Sequence, residues 1–94
     1  MSDVQRDKAF WDMADAFIQL ANTHLDKEKP SRVSASALFA AARFNAFVIA
    51  AAAESKAQLI AEKEAAIAYF LNQYESMLCE NLDEHMARHY QPNN

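Results

Sequence analysis

The sequence predicts an all-α protein: an antiparallel three-helix bundle with a long C-terminal helix, associating as a homodimer. Three observations carry that prediction. The 94 residues include no glycine and only two prolines, so tight hairpins and left-handed helix ends lack their usual residue. Twenty residues are alanine, and Leu, Glu, Lys, Gln and Met are also frequent, a composition that favours helix almost everywhere. Apolar side chains recur at helical spacing along most of the chain.

The first helix is expected from about residue 3 to 25. Ser2-Asp3-Val4-Gln5 fits a capping box. Phe10, Met13, Ala14, Phe17, Leu20, Ala21 and Leu25 then mark one face, which Trp11 and Ile18 widen. The polar run from Asp26 to Ser31 is a connection, in which Pro30 disfavours helical geometry at Lys29. Ser31 or Ser34 can cap the second helix, expected over about 34–54. From Val33 to Ala53 it is nearly all apolar, interrupted by Arg43 and Asn45. A helix that is apolar all round has to be buried all round, and a chain this small can hardly surround it alone.

Ser55-Lys56-Ala57-Gln58 is a second capping box, placing a break there and a third helix over 56–89. Its expected stripe is Ile60, Ile67, Leu71, Tyr74, Leu78, Leu82, His85 and His89. At 1.5 Å per residue it is roughly 50 Å long, against roughly 36 and 31 Å for the other two. In an up-down-up bundle within a single domain, residues 1–94, its end overhangs. Leu78, Leu82, Met86 and Tyr90 form a ladder on that overhang, the candidate interface for a second subunit.

Composition removes several function classes. Without glycine there is no P-loop and no dinucleotide fingerprint. A net charge of −4, with Lys and Arg scattered, argues against nucleic acid as a partner. Cys79 is the only cysteine, which excludes an internal disulfide and suits a reducing cytosol. The polar start of the chain shows no apolar targeting segment, so the expected location is cytoplasmic. The second helix approaches membrane-spanning length. Nearly half of it is alanine, however, and Arg43 at mid-depth would cost about 2.5–3.5 kcal/mol. The expectation is a buried helix and no membrane partner.

Arg43 lies one turn from both Phe39 and Phe47. Counting from the loops sets it level with Asp15 on the first helix and Glu64 on the third. Glu64 sits only ~40° from the centre of the apolar stripe, an odd place for a carboxylate unless it meets a cation. Arg43, Asn45, Glu64 and Asp15 are therefore candidates for a structural ion pair or an anion site. His85 and His89, spaced i, i+4, can clasp a metal, but no Glu-x-x-His pair or further ligand accompanies them. Helix-end histidines that favour the negative end of the dipole explain them better, and no metal or other cofactor is expected. Cys79 lies beside Glu75 and Glu80, acids that raise a thiol pKa and make a poor nucleophile of it.

Asp15-Ala-Phe-Ile-Gln-Leu-Ala-Asn22 and Ala40-Ala-Ala-Arg43-Phe-Asn45-Ala-Phe47, with Tyr74–Leu78 and Glu80–Leu82, carry a resemblance. From about Phe10 to Leu82 the chain resembles a family of short, uncharacterised, all-helical bacterial proteins, a domain of unknown function. The resemblance implies a bacterial, cytoplasmic protein and brings no activity with it. The residues themselves point to a non-enzymatic helical interaction module acting as a homodimer, whose partners are a second copy and, through it, another protein. The alternative is a small helical enzyme of chorismate-mutase type, binding an anionic substrate through Arg43. That chemistry needs several cations around a dicarboxylate, and here a second one would have to cross the dimer.

Overall fold

The computed structural model describes residues 4–89, without the side chain of His89. Three helices occupy most of that span: α1 (Lys8–His24), α2 (Pro30–Ala52) and α3 (Lys56–His89). No strand occurs among the described residues. The chain divides into two compact units, Met1–Phe47 and Val48–Asn94, with the boundary inside α2.

Local chemistry sets each helix end. α1 starts five residues later than a cap at Ser2 would place it, because Val4–Asp7 stay outside the helix. Asp7 is the cap: its backbone is extended and its carboxylate accepts from Phe10 N at 3.0 Å. Lys8 Nζ meets Asp12 Oδ2 at 2.7 Å one turn on, an exposed i, i+4 pair worth a few tenths of a kcal/mol at most, about 0.3–0.5. α2, by contrast, starts earlier than a cap at Ser31 or Ser34 would place it. Pro30 holds the first helical position, where its missing N–H costs nothing and its fixed φ suits the helix. The Lys29 carbonyl accepts from Arg32 N and Val33 N at 3.0 and 3.1 Å.

The break between α2 and α3 falls at residues 53–55. Ser55 Oγ accepts from Gln58 N at 3.1 Å, the forward half of the capping box. Gln58 Oε1 reaches back to Glu54 N at 2.6 Å, one residue before the cap itself. That reciprocal pair satisfies orphan donors on both sides of the corner.

Packing within each unit is shallow. None of the described residues is buried. In the first unit Phe10, Ala14 and Ala21 of α1 and Val33 and Asn45 of α2 are half-buried. In the second, Ile49 and Ala53 are half-buried, together with Leu59, Ala66, Tyr69, Phe70 and Gln73 of α3. This α3 face is a correction to the stripe expected from the sequence. It lies roughly 100° around the helix from Ile60, Ile67, Leu71 and Leu78 at 100° per residue. Those four stay exposed, Leu71 by 66%. α3 thus carries two apolar faces, and only one of them is partly covered.

Candidate functional site

The first unit holds a groove of about 930 Å³ between α1 and α2. Phe17, Leu20 and Ala21 supply the α1 wall. Val33, Ala37, Ala40, Ala41 and Phe44 supply the α2 wall, at the i, i+4, i+7, i+8, i+11 spacing that lines up one helix face. Alanine on α2 is what makes the groove: side chains ending at Cβ leave space that leucines would fill. Phe17 stays 75% exposed beside it.

One end of the groove is polar. His24, Glu28 and Arg32 line it there, and the loop holds them in place. Glu28 N and Lys27 N donate to the His24 carbonyl at 3.0 and 3.2 Å. Arg32 Nε donates to Glu28 Oε1 at 2.9 Å, with both side chains largely exposed. Sequence reasoning missed these three residues, although their i, i+4 spacing across the loop was a usable signal. Asn45 lines the groove as well and is half-buried.

The other candidates stand apart from it. Arg43 is exposed and is not among the residues lining the groove. It lies roughly a quarter turn of α2 away from the groove's centre line. Asp15, in the same unit, is exposed and makes no ion pair with Arg43. Glu64 is exposed in the second unit. Phe39 and Phe47, on either side of Arg43, are also exposed, and Phe47 tilts against Phe44 with ring centroids 6.2 Å apart. It is Arg6, just before α1, that sits over aromatic rings, 6.0 Å from Phe10 and 5.6 Å from Trp11.

On α3, Leu78, Leu82 and Met86 form a shallow apolar strip with Cys79, between Glu75 and Asp83. All three large side chains are exposed, by 44, 49 and 54% respectively. Tyr90, the fourth rung of the expected ladder, lies outside the described residues. The Cys79 thiol donates to Asp83 Oδ2 at 3.7 Å. Its pKa is raised, first by the Asp83 charge and that hydrogen bond, then by slight desolvation and Glu75. The sequence suggested Glu75 and Glu80; the dominant acid is instead the one a full turn on, at i+4.

His85 is exposed, and the side chain of His89 lies outside the described residues. Among the described residues no group of three or more His, Cys, Asp or Glu could hold a metal ion. α2 is the one described helix long and apolar enough to cross a bilayer by length and composition, with a mean hydropathy of 1.6 over its best window.

No curated protein and no solved structure matches the chain. A family model described as "Protein of unknown function (DUF3144)" matches residues 10–86. That match spans α1 from Phe10 on, the groove, Arg43, the break at Ser55 and the α3 strip as far as Met86. The chain belongs to the DUF3144 family of proteins of unknown function.

Proposed function

We propose that this protein is a non-enzymatic helical interaction module of the cytoplasm, which completes its antiparallel helical bundle by associating with a second copy. One observation carries the reading. Every helix keeps large apolar side chains exposed, among them Phe17, Phe44, Phe47, Ile67, Leu71 and Leu82, while none of the described residues is buried. A domain without a buried interior has nothing to offset its conformational entropy. Apolar area therefore has to be covered by association, and a second copy of the chain is always at hand.

Other features agree. The groove is walled by aliphatic and aromatic groups, with its polar residues at one end, the pattern of a protein-docking surface with a polar rim. Lipid is the weaker cover for α2, because Arg43 falls near its middle and alanine gains little from hydrocarbon. A lone free thiol at Cys79 suits a reducing compartment. Sedimentation equilibrium at micromolar concentration tests the reading. A mass of two or more chains is expected; a monomer that unfolds cooperatively and without concentration dependence would overturn it.

A further inference from the structure

We propose that residues Leu71–Met86 of α3 seat in the α1/α2 groove of a second copy, so that two chains exchange the ends of their long helices. The inference rests on the self-association reading and names its occupant. Four observations support it.

The first is area. Phe17, Leu20 and Phe44 on the groove and Leu71, Leu78 and Leu82 on the segment are each 44–75% exposed, contiguous apolar area of the kind that marks an interaction site. The second is the uncovered face of α3. Leu71, Leu78 and Leu82 remain exposed, since the half-buried face of that helix runs through Leu59, Ala66 and Phe70.

The third is length. Leu71–Met86 spans roughly 23 Å and the α2 wall of the groove, from Arg32 to Asn45, roughly 20 Å, so the segment can fill the groove from end to end. The fourth is charge. α2 carries Arg32 and Arg43 and no acid, while 71–86 carries Glu75, Glu80, Asp83 and Glu84 and neither Lys nor Arg. Arg32 is offset by its pair with Glu28, so the steering comes from Arg43 beside the groove, which attracts the acidic segment and penalises α2 against α2. Because each chain bears one groove and one such segment, a two-fold dimer satisfies both and leaves no open end.

The single cysteine supplies the test. A size-tagged chain carrying Ala37→Cys and Cys79→Ser is unfolded, mixed with the wild-type chain and refolded, then treated with a short bismaleimide at mildly alkaline pH. Ala41→Cys is the second groove probe, should Ala37→Cys disturb folding by circular dichroism. Ala42→Cys, on the opposite face of α2, is the control. The proposal expects a tagged–untagged product from both groove probes, well above that from Ala42→Cys.

Three results would overturn the proposal. A dimer by sedimentation whose groove cysteines never reach Cys79 of another chain refutes the helix exchange and leaves self-association standing. In a second chain that carries Ala37→Cys and keeps Cys79, cross-linking only within one chain, in a monomer, refutes both. Flotation of the refolded protein with phosphatidylcholine–phosphatidylglycerol vesicles, without a groove cross-link, makes lipid the cover instead.

Discussion

Phe17→Ala is the sharpest single perturbation of the groove. In one chain the Phe17 ring is 75% exposed, so most of its transfer free energy is still unspent. Full burial of such a side chain is worth about 1.5–3 kcal/mol. Three quarters of that, roughly 1–2 kcal/mol, would be gained only when a second copy covers the groove. A two-fold dimer contains two grooves, which doubles the effect to about 2–4 kcal/mol, before any cavity term. At 1.4 kcal/mol per decade, Phe17→Ala should weaken the dimer roughly 30- to 700-fold. Ile18→Ala is the matched control, likewise a large apolar side chain on α1, 56% exposed and off the groove. Dissociation constants come from sedimentation equilibrium over a dilution series, with urea denaturation at each concentration. If Phe17→Ala shifts association no more than Ile18→Ala, with both within about 0.5 kcal/mol of wild type, Phe17 is an ordinary surface residue and the groove is unoccupied.

Two further outcomes follow from the local chemistry. Ser55→Ala removes the acceptor for Gln58 N and should cost about 1 kcal/mol in urea denaturation; no loss would mean that the corner between α2 and α3 is held by something other than its capping box. Asp83→Asn removes the first cause of the raised Cys79 pKa, so the pH profile of iodoacetamide alkylation should move to lower pH and the neutral-pH rate should rise. The sign is fixed because a lower pKa means more thiolate at a given pH. An unmoved profile would put the cause elsewhere.

The sequence was most legible where a structural decision is local. The third helix begins at Lys56 because Ser55 and Gln58 exchange hydrogen bonds within four residues of one another, a signature readable without any tertiary context. Where two caps compete, locality misleads. Ser2 and Gln5 match a capping box, but the residues after them, Arg6, Asp7 and Lys8, have no apolar surface to anchor a helical turn, and Asp7 caps the chain where Ala9 and Phe10 begin one. Pro30 was read for what it forbids to Lys29, which holds, and not for what it permits at the first helical position. The covered face of α3 was misjudged for a different reason. The stripe was drawn through Ile60, Ile67 and Leu71, whereas the half-buried face runs through Leu59, Ala66, Tyr69, Phe70 and Gln73, where small Ala66 and polar Gln73 interrupt the apolar pattern. The groove needed two helices at once. Asn45 was singled out beforehand, but His24, Glu28 and Arg32 acquire meaning only when the loop folds α1 back along α2 within the first unit.

Alanine content ties these observations together. Along α2 the side chains at 35, 37, 40, 41, 42, 46, 50, 51 and 52 all stop at Cβ. Such a helix folds readily, since alanine loses no side-chain entropy, and it admits a neighbour on any side. It supplies little binding energy of its own, however, because each methyl buries far less apolar area than a leucine. The energy and the specificity must then come from what is laid against it: Phe17 and Leu20 of α1 across the groove and, in the proposed exchange, exposed leucines such as Leu78 and Leu82 of a second copy. Those leucines are bound to their helix in a unit of their own. An alanine helix that depends on large residues borrowed from elsewhere couples folding to encounter. Its stability should therefore rise with chain concentration, by about 1.4 kcal/mol per decade for a dimer that has no folded monomer.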